Sequence, residues 1–207
     1  PVLSFRGHAY SRAGVAAFTT STGYGIAKYD NPEELSVSDR NNIGYQYTDC
    51  PLYWISVIYL NFAEAKAEMG SLTQDDLNNS INKLQARAGL PAMTTTPDAD
   101  PANNMGVSNL IWEIRRCRRC ELIMDNWYRY WDLIRWHQLD KLDSTKYPNT
   151  MLGANVSNVP DCEEATKNGY IDASDAQIRT YEAKHYFYPI PTTQLTLNKN
   201  MKQNPGW

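Results

Sequence analysis

The clearest pattern of apolar and polar positions begins at Tyr53. From there to Met69 the chain reads YWISVIYLNFAEAKAEM, apolar nearly all round and turning small and charged late. That predicts a well-buried helix, with Gly70 placed where helices commonly stop. Thr73 followed by Asp76 makes a capping-box-like pattern. Leu77, Ile81, Leu84 and Ala88 then recur at spacings of four, three and four, which predicts a second helix that Gly89 ends and Pro91 keeps from continuing. Joined by so short a link, the two helices are expected to pack antiparallel, with Ala63, Ala65 and Ala67 letting the backbones approach closely.

Residues 91–106, PAMTTTPDADPANNMG, hold three prolines and no period, and read as a surface loop. Ser108 starts the longest helical signal. Leu110, Ile114, Cys117, Cys120 and Met124 form a stripe that puts both cysteines on the expected buried face. Arg118, Glu121, Asp125, Arg129, Asp132 and Arg135 form a charge ladder on the other side, so these arginines are expected to find carboxylates on their own helix. Residues 1–51 read as loops with short extended pieces, TGYGIAKYD being the most strand-like. Residues 137–184 read as loop, punctuated by Pro148, Gly153, Pro160 and Gly169. The expectation is an all-α, mostly helical single unit: a loop-rich segment 1–51, a helical scaffold 52–136, and a loop with a C-terminal strap, 137–207.

Composition narrows the function. The 207 residues are 42% hydrophobic and 21% charged, with a net charge of −3. No strong positive balance exists, which argues against nucleic acid as a partner. Tyr (14) and Trp (6) outnumber Phe (4), favouring rings that pair an apolar face with a hydrogen-bonding edge, as gripping surfaces do. No run of apolar residues is long enough to span a bilayer. The start, PVLSFRGHAY, reads as the back portion of something longer, so any targeting signal is expected upstream. Cys117 and Cys120 lie three apart without a second such pair or a nearby His, a weak zinc pattern, and no cofactor is called for.

Three separated stretches, in order, resemble the C-terminal part of the SusD/RagB family of outer-membrane glycan-binding lipoproteins. They are YWISVIYLNFAEAKAEMG with LNNSINKLQARAGLP, then IRRCRRCELIMDNWYRYWDLIRW, and finally HYFYPIPTTQLTLNKNMKQNPGW. The second departs from the family pattern. Cys117 stands where a Glu is usual, the stretch from Glu121 to Asp132 is one residue longer, and Trp127 and Tyr128 replace small or polar residues. A bulge or helix break is expected there. The resemblance implies tetratricopeptide-like helix pairs with long irregular loops. It also implies a protein on the extracellular face of the outer membrane, attached only through a lipid anchor upstream. There it would capture oligosaccharide without cleaving it and pass it to a TonB-dependent, SusC-like transporter.

For such a role the loop aromatics are the candidate glycan contacts: Tyr10, Tyr24, Tyr29 and Tyr45, with Trp127 beside them. Each ring also fits ordinary packing with only its polar edge exposed. Tyr47 belongs to the same group, and Arg12, Asn41 and Asn42 are available for hydroxyl groups. Trp54, Trp112, Trp131 and Trp136 lie on helical sequence and read as core. Two alternatives remain: a helical-repeat scaffold that binds only protein, and a glycoside hydrolase using Asp125 with Asp132 or Asp98 with Asp100. In the tail, Pro189 and Pro191 are expected to fix an extended path and forbid a helix. Tyr186, Phe187, Tyr188, Leu195, Leu197 and Trp207 would anchor that path as a strap across the helices.

Overall fold

The structure, a computed structural model, describes residues 5–7, 9–10, 19–20, 22–26, 28, 52–158, 166–174 and 177–207. Its chain divides into two compact units, 1–6 with 26–129 and 7–25 with 130–207. Four short strands come first: β1 (Phe5–Gly7), β2 (Ala9–Tyr10), β3 (Thr19–Thr20) and β4 (Tyr24–Ile26), with β2 and β3 pairing in parallel.

The first unit is helical. Helix α1 (Ile55–Glu68) packs mainly on α4 (Asn109–Glu121) and also on α3 (Ile81–Arg87). The short α2 (Gln74–Asn78) starts with the expected capping box, in which Thr73 accepts from the Asp76 amide and Asp76 accepts from the Thr73 amide. Gly70 and Gly89 follow their helices at φ 67° and 68°, the left-handed conformation that lets a chain leave a helix without a Cβ clash. Leu60, Ala63, Leu77, Ile81, Leu84 and Ile114 meet in the core. Full burial of each large aliphatic chain contributes roughly 1.5–3 kcal/mol.

Four expectations change here. The second helix is broken at Asn79 and Ser80, whose side chains donate to the carbonyls of Asp75 and Asp76 and compete with the helical ladder. Residues 91–106 are not wholly surface, because Met93 is buried and held by Asn82 at both its amide (2.7 Å) and its carbonyl (3.1 Å). Helix α1 is buried on one side only, and Ala65 faces outward while Ala63 and Ala67 pack inward. Finally, α4 is rotated from its expected register. Its buried residues are Ile111, Ile114, Arg115 and Arg118, while Cys120 is exposed. Charge partners on α1 explain the rotation: Arg115 meets Glu64 at 3.4 Å and Glu68 at 3.2 Å, and Arg118 donates to Asn61 at 2.9 Å. A buried guanidinium is tolerated where such partners are built in.

In the second unit, α5 (Tyr128–Arg135), which starts at the end of the first unit, leads into 3-10 turns at Leu139–Leu142 and Pro148–Met151. Within the stretch expected to be loop stands a three-stranded antiparallel sheet of β5 (Leu152–Asn155), β6 (Thr166–Lys167) and β7 (Tyr170–Asp172), ordered β5-β7-β6. Asn168 (φ 55°) and Gly169 (φ 80°) turn β6 into β7, the conformation a two-residue hairpin requires. The sheet receives the segment around Thr22, whose carbonyl accepts from the Ala154 amide at 2.8 Å. A Cβ on Gly153 would stand 2.3 Å from that same carbonyl oxygen, so only glycine permits the approach.

The tail also departs from expectation. Pro191 does not forbid a helix but caps one, α6 (Thr192–Leu197), since proline suits a helix start and excludes only its interior. Phe187, Tyr188 and Leu197 are exposed, so they do not anchor the strap by burial. Hydrogen bonds do that work. The Gln203 amide group pairs with both backbone groups of Ile190 (2.7 and 3.0 Å), Asn204 donates to the Tyr188 carbonyl, and the Trp207 indole donates to the carbonyls of Lys184 (3.1 Å) and Phe187 (3.0 Å).

Candidate functional site

The long helical signal of residues 108–136 is interrupted at residues 122–127. Leu122 extends α4 by one backbone bond, to the Arg118 carbonyl, and then the chain turns sharply. Met124, Asn126 and Trp127 all take left-handed backbone angles, φ 64°, 36° and 59°. Each such non-glycine residue costs on the order of 1–3 kcal/mol and persists only where its surroundings hold it.

Asp125 supplies that hold. Its side chain is 1% exposed and paired with the Lys28 ammonium, itself 8% exposed. Lys28 also donates to the carbonyls of Glu121 (3.0 Å) and Ile123 (3.1 Å) and lies 5.0 Å from the centre of the Trp54 ring. A cation at this position satisfies carbonyls just where a helix end leaves them unpaired and where its dipole is negative. Asn126 donates to the Leu52 carbonyl at 3.2 Å, and the Tyr128 amide returns to the Asp125 carbonyl to start α5. Between these two pinned residues stands Trp127, 81% exposed. The turn therefore holds an indole face in solvent.

Tyr24 is 44% exposed and stands in the second unit, on the strand that follows the Thr22 contact with the sheet. Tyr10 has its backbone in β2, but its side chain lies outside the described residues, as do Tyr29, Tyr45, Tyr47, Arg12, Asn41 and Asn42. Among the tryptophans read as core, Trp136 is buried, while Trp131 is 54% exposed. The buried face of this stretch is taken by Asp132, Leu133 and Trp136, which turns Trp131 outward. Its ring meets Tyr130 edge-on at 5.5 Å, and the Tyr130 hydroxyl lies 3.2 Å from that of Tyr188, itself exposed. Counting buried positions three and four apart back from Trp136 would have flagged this second aromatic surface.

Three of the four acidic candidates are engaged by partners, and Asp98 is exposed. Asp125 is held by Lys28, and Asp132 accepts from Arg135 at 2.9 Å. Asp100 accepts from the Trp112 indole (2.9 Å) and the Ala102 amide, and these bonds draw its pKa below the usual carboxylate value, opposite to what a general acid needs. Asp143 ties the loop of the second unit: it accepts from the Thr145 hydroxyl and the amides of Thr145, Lys146 and Tyr181, which lower its pKa to about 2. A cavity of about 190 Å³ lies under Lys28 and Trp54, between Gln85, Cys117 and Glu121. That is smaller than the roughly 300 Å³ at which small-molecule pockets begin.

Among curated proteins none matches the chain. Two of the solved structures with a similar fold show this likeness to the chain. One, described as BT4246, is 21% identical with a TM-score of 0.63, over 96% of this chain and 30% of its own. The other, the crystal structure of a SusD-like protein from Bacteroides fragilis, is 24% identical with a TM-score of 0.54, over 91% of this chain and 31% of its own. The chain thus spans about 30% of the length of these relatives. The model of the SusD family matches residues 7–207, and its span takes in each of the sequence stretches quoted above, together with the helices, the sheet and the locked tail. The chain belongs to the SusD family.

Proposed function

We propose that the full-length protein binds oligo- or polysaccharide at the outer face of the outer membrane, without cleaving it, and hands it to a TonB-dependent, SusC-like transporter. The observation that carries this reading is Trp127, an indole left 81% exposed on a turn whose left-handed backbone is held by Lys28, Asp125 and Asn126. A strained turn maintained at that cost, with an aromatic face in water, suits stacking against the C–H face of a pyranose ring. Tyr24 is the second described candidate, and the family relation supports the ligand class. The ion pairs of Asp125 and Asp132 weigh against a glycosidase, since each carboxylate already has a cation.

Calorimetric titration of the full-length protein against a panel of polysaccharides, followed by product analysis, tests the reading. Binding without cleavage is expected, and Trp127→Ala, at an exposed position, should weaken it by ~10-fold while leaving Tm unchanged. Cleavage would replace the reading with a hydrolase. Unchanged affinity in both Trp127→Ala and Tyr24→Ala would remove these two residues from the site.

A further inference from the structure

The turn that carries Trp127 is tied at two points to the segment just before α1, and that segment holds a ring more exposed still. Tyr53 is 93% exposed, against 81% for Trp127, and both lie in the first unit. On one side of Tyr53, the Leu52 carbonyl accepts from the Asn126 side chain. On the other side, the Trp54 ring lies under the Lys28 ammonium, which itself holds Asp125. Trp54 is extended (φ −112°, ψ 132°), and side chains along extended backbone alternate between sides, so the turn of Trp54 toward Lys28 sends Tyr53 outward. The bond between Leu52 and Asn126 keeps the α-carbons of Tyr53 and Trp127 within ~14 Å of each other.

Asn126, which ties the two segments, is exposed as well. One of its N–H groups goes to Leu52, while its second N–H and its carbonyl oxygen have no partner among the described residues. Two rings joined through an amide suit a sugar chain, which needs flat faces for its C–H surfaces and amide groups for its hydroxyls. Leu52 and Met124 add exposed apolar surface here. A protein helix would ask for a continuous apolar stripe instead, and residues 52–53 and 122–127 form bends and turns. We propose that Tyr53 is a second stacking residue of the Trp127 site, and that the site takes a linked oligosaccharide laid across both rings, with Asn126 meeting hydroxyl groups between them. A single sugar reaches only one ring and binds weakly. The proposal rests on the glycan reading of Trp127 and adds to it a residue and a minimum ligand length.

The test is calorimetric titration of the full-length protein with maltohexaose, cellohexaose, xylohexaose and mannohexaose, each beside its free monosaccharide. A hexasaccharide that binds is expected to lose ~10-fold in affinity with Tyr53→Ala, as with Trp127→Ala, while Tm stays unchanged. Tyr53→Phe, which keeps the ring, should retain the affinity. The monosaccharide should bind at least ~10-fold more weakly than its hexasaccharide. Where only a polysaccharide of the panel binds, the same variants are titrated with it. Full affinity in Tyr53→Ala beside a loss in Trp127→Ala would overturn the proposal and leave the glycan reading standing, as would monosaccharide binding as tight as that of the hexasaccharide. Affinity unchanged in both alanine variants would also overturn the proposal, placing the sugar elsewhere and another partner on this surface. Binding by none of the hexasaccharides or polysaccharides would overturn the proposal together with the glycan reading.

Discussion

Replacing Lys28 with Met removes the ammonium from a side chain of similar length and leaves the Asp125 carboxylate 1% exposed without that cation. The carbonyls of Glu121 and Ile123 lose their donor at the same time. Because both partners are buried, solvent screening offers little relief, and breaking such a pair from one side costs ~3–5 kcal/mol. For a chain of this size each kcal/mol moves Tm by ~2–4 °C, so the expected fall is ~6–20 °C. Thermal unfolding followed by circular dichroism measures it. Adding Asp125→Asn should recover part of the loss, with a coupling of ~1–3 kcal/mol between the two sites. A Tm within ~2 °C of the parent for Lys28→Met, or strict additivity of the two changes, would refute the argument that this pair holds the turn.

Two further outcomes follow from the same structure. Trp207→Ala and Gln203→Ala each remove a pair of hydrogen bonds from the tail lock and should lower Tm by a few degrees while leaving glycan affinity unchanged; an unaltered Tm in both would mean the lock does not stabilise the tail. Burial pushes the Cys117 thiol up to about 12, with Glu121 adding to the effect, so at pH 8 it should resist iodoacetamide while the exposed Cys120 is alkylated. Peptide mass spectrometry reads both sites, and equal modification would contradict the burial of Cys117.

Much of the scaffold was legible because its signals are local. The capping box at Thr73 and the glycines at 70 and 89 depend on neighbours within a turn or two of helix and appear where expected, and Leu77, Ile81 and Leu84 are buried as their spacing predicts, although the single helix it also predicts is split at Asn79 and Ser80. The hairpin of β6 and β7 was equally local, since Asn168-Gly169 is a strong turn signal, but its strands are too short to show alternation. The break expected from the extra residue between Glu121 and Asp132 is present, and Trp127, named among the candidate aromatics, stands on it. The candidates Tyr29 and Tyr45 lie outside the described residues.

What the sequence by itself determined, then, is the caps at Thr73 and Ser108, the glycine stops at 70 and 89, and which family the chain resembles, because capping, turn chemistry and motif order are written in adjacent residues. The tertiary structure alone decided which faces α1 and α4 bury. Arg115 and Arg118 are polar on any scale, yet they turn inward because Glu64, Glu68 and Asn61, some fifty residues away, meet them. Ile55, Ile58 and Phe62 are apolar on any scale, yet they face outward because Leu60 and Ala63 already fill the contact with α4 and α3. Lys28 likewise acquires its role only by reaching Asp125, nearly a hundred residues on. A residue's hydrophobicity is its own, but its burial belongs to the partners that folding brings to it.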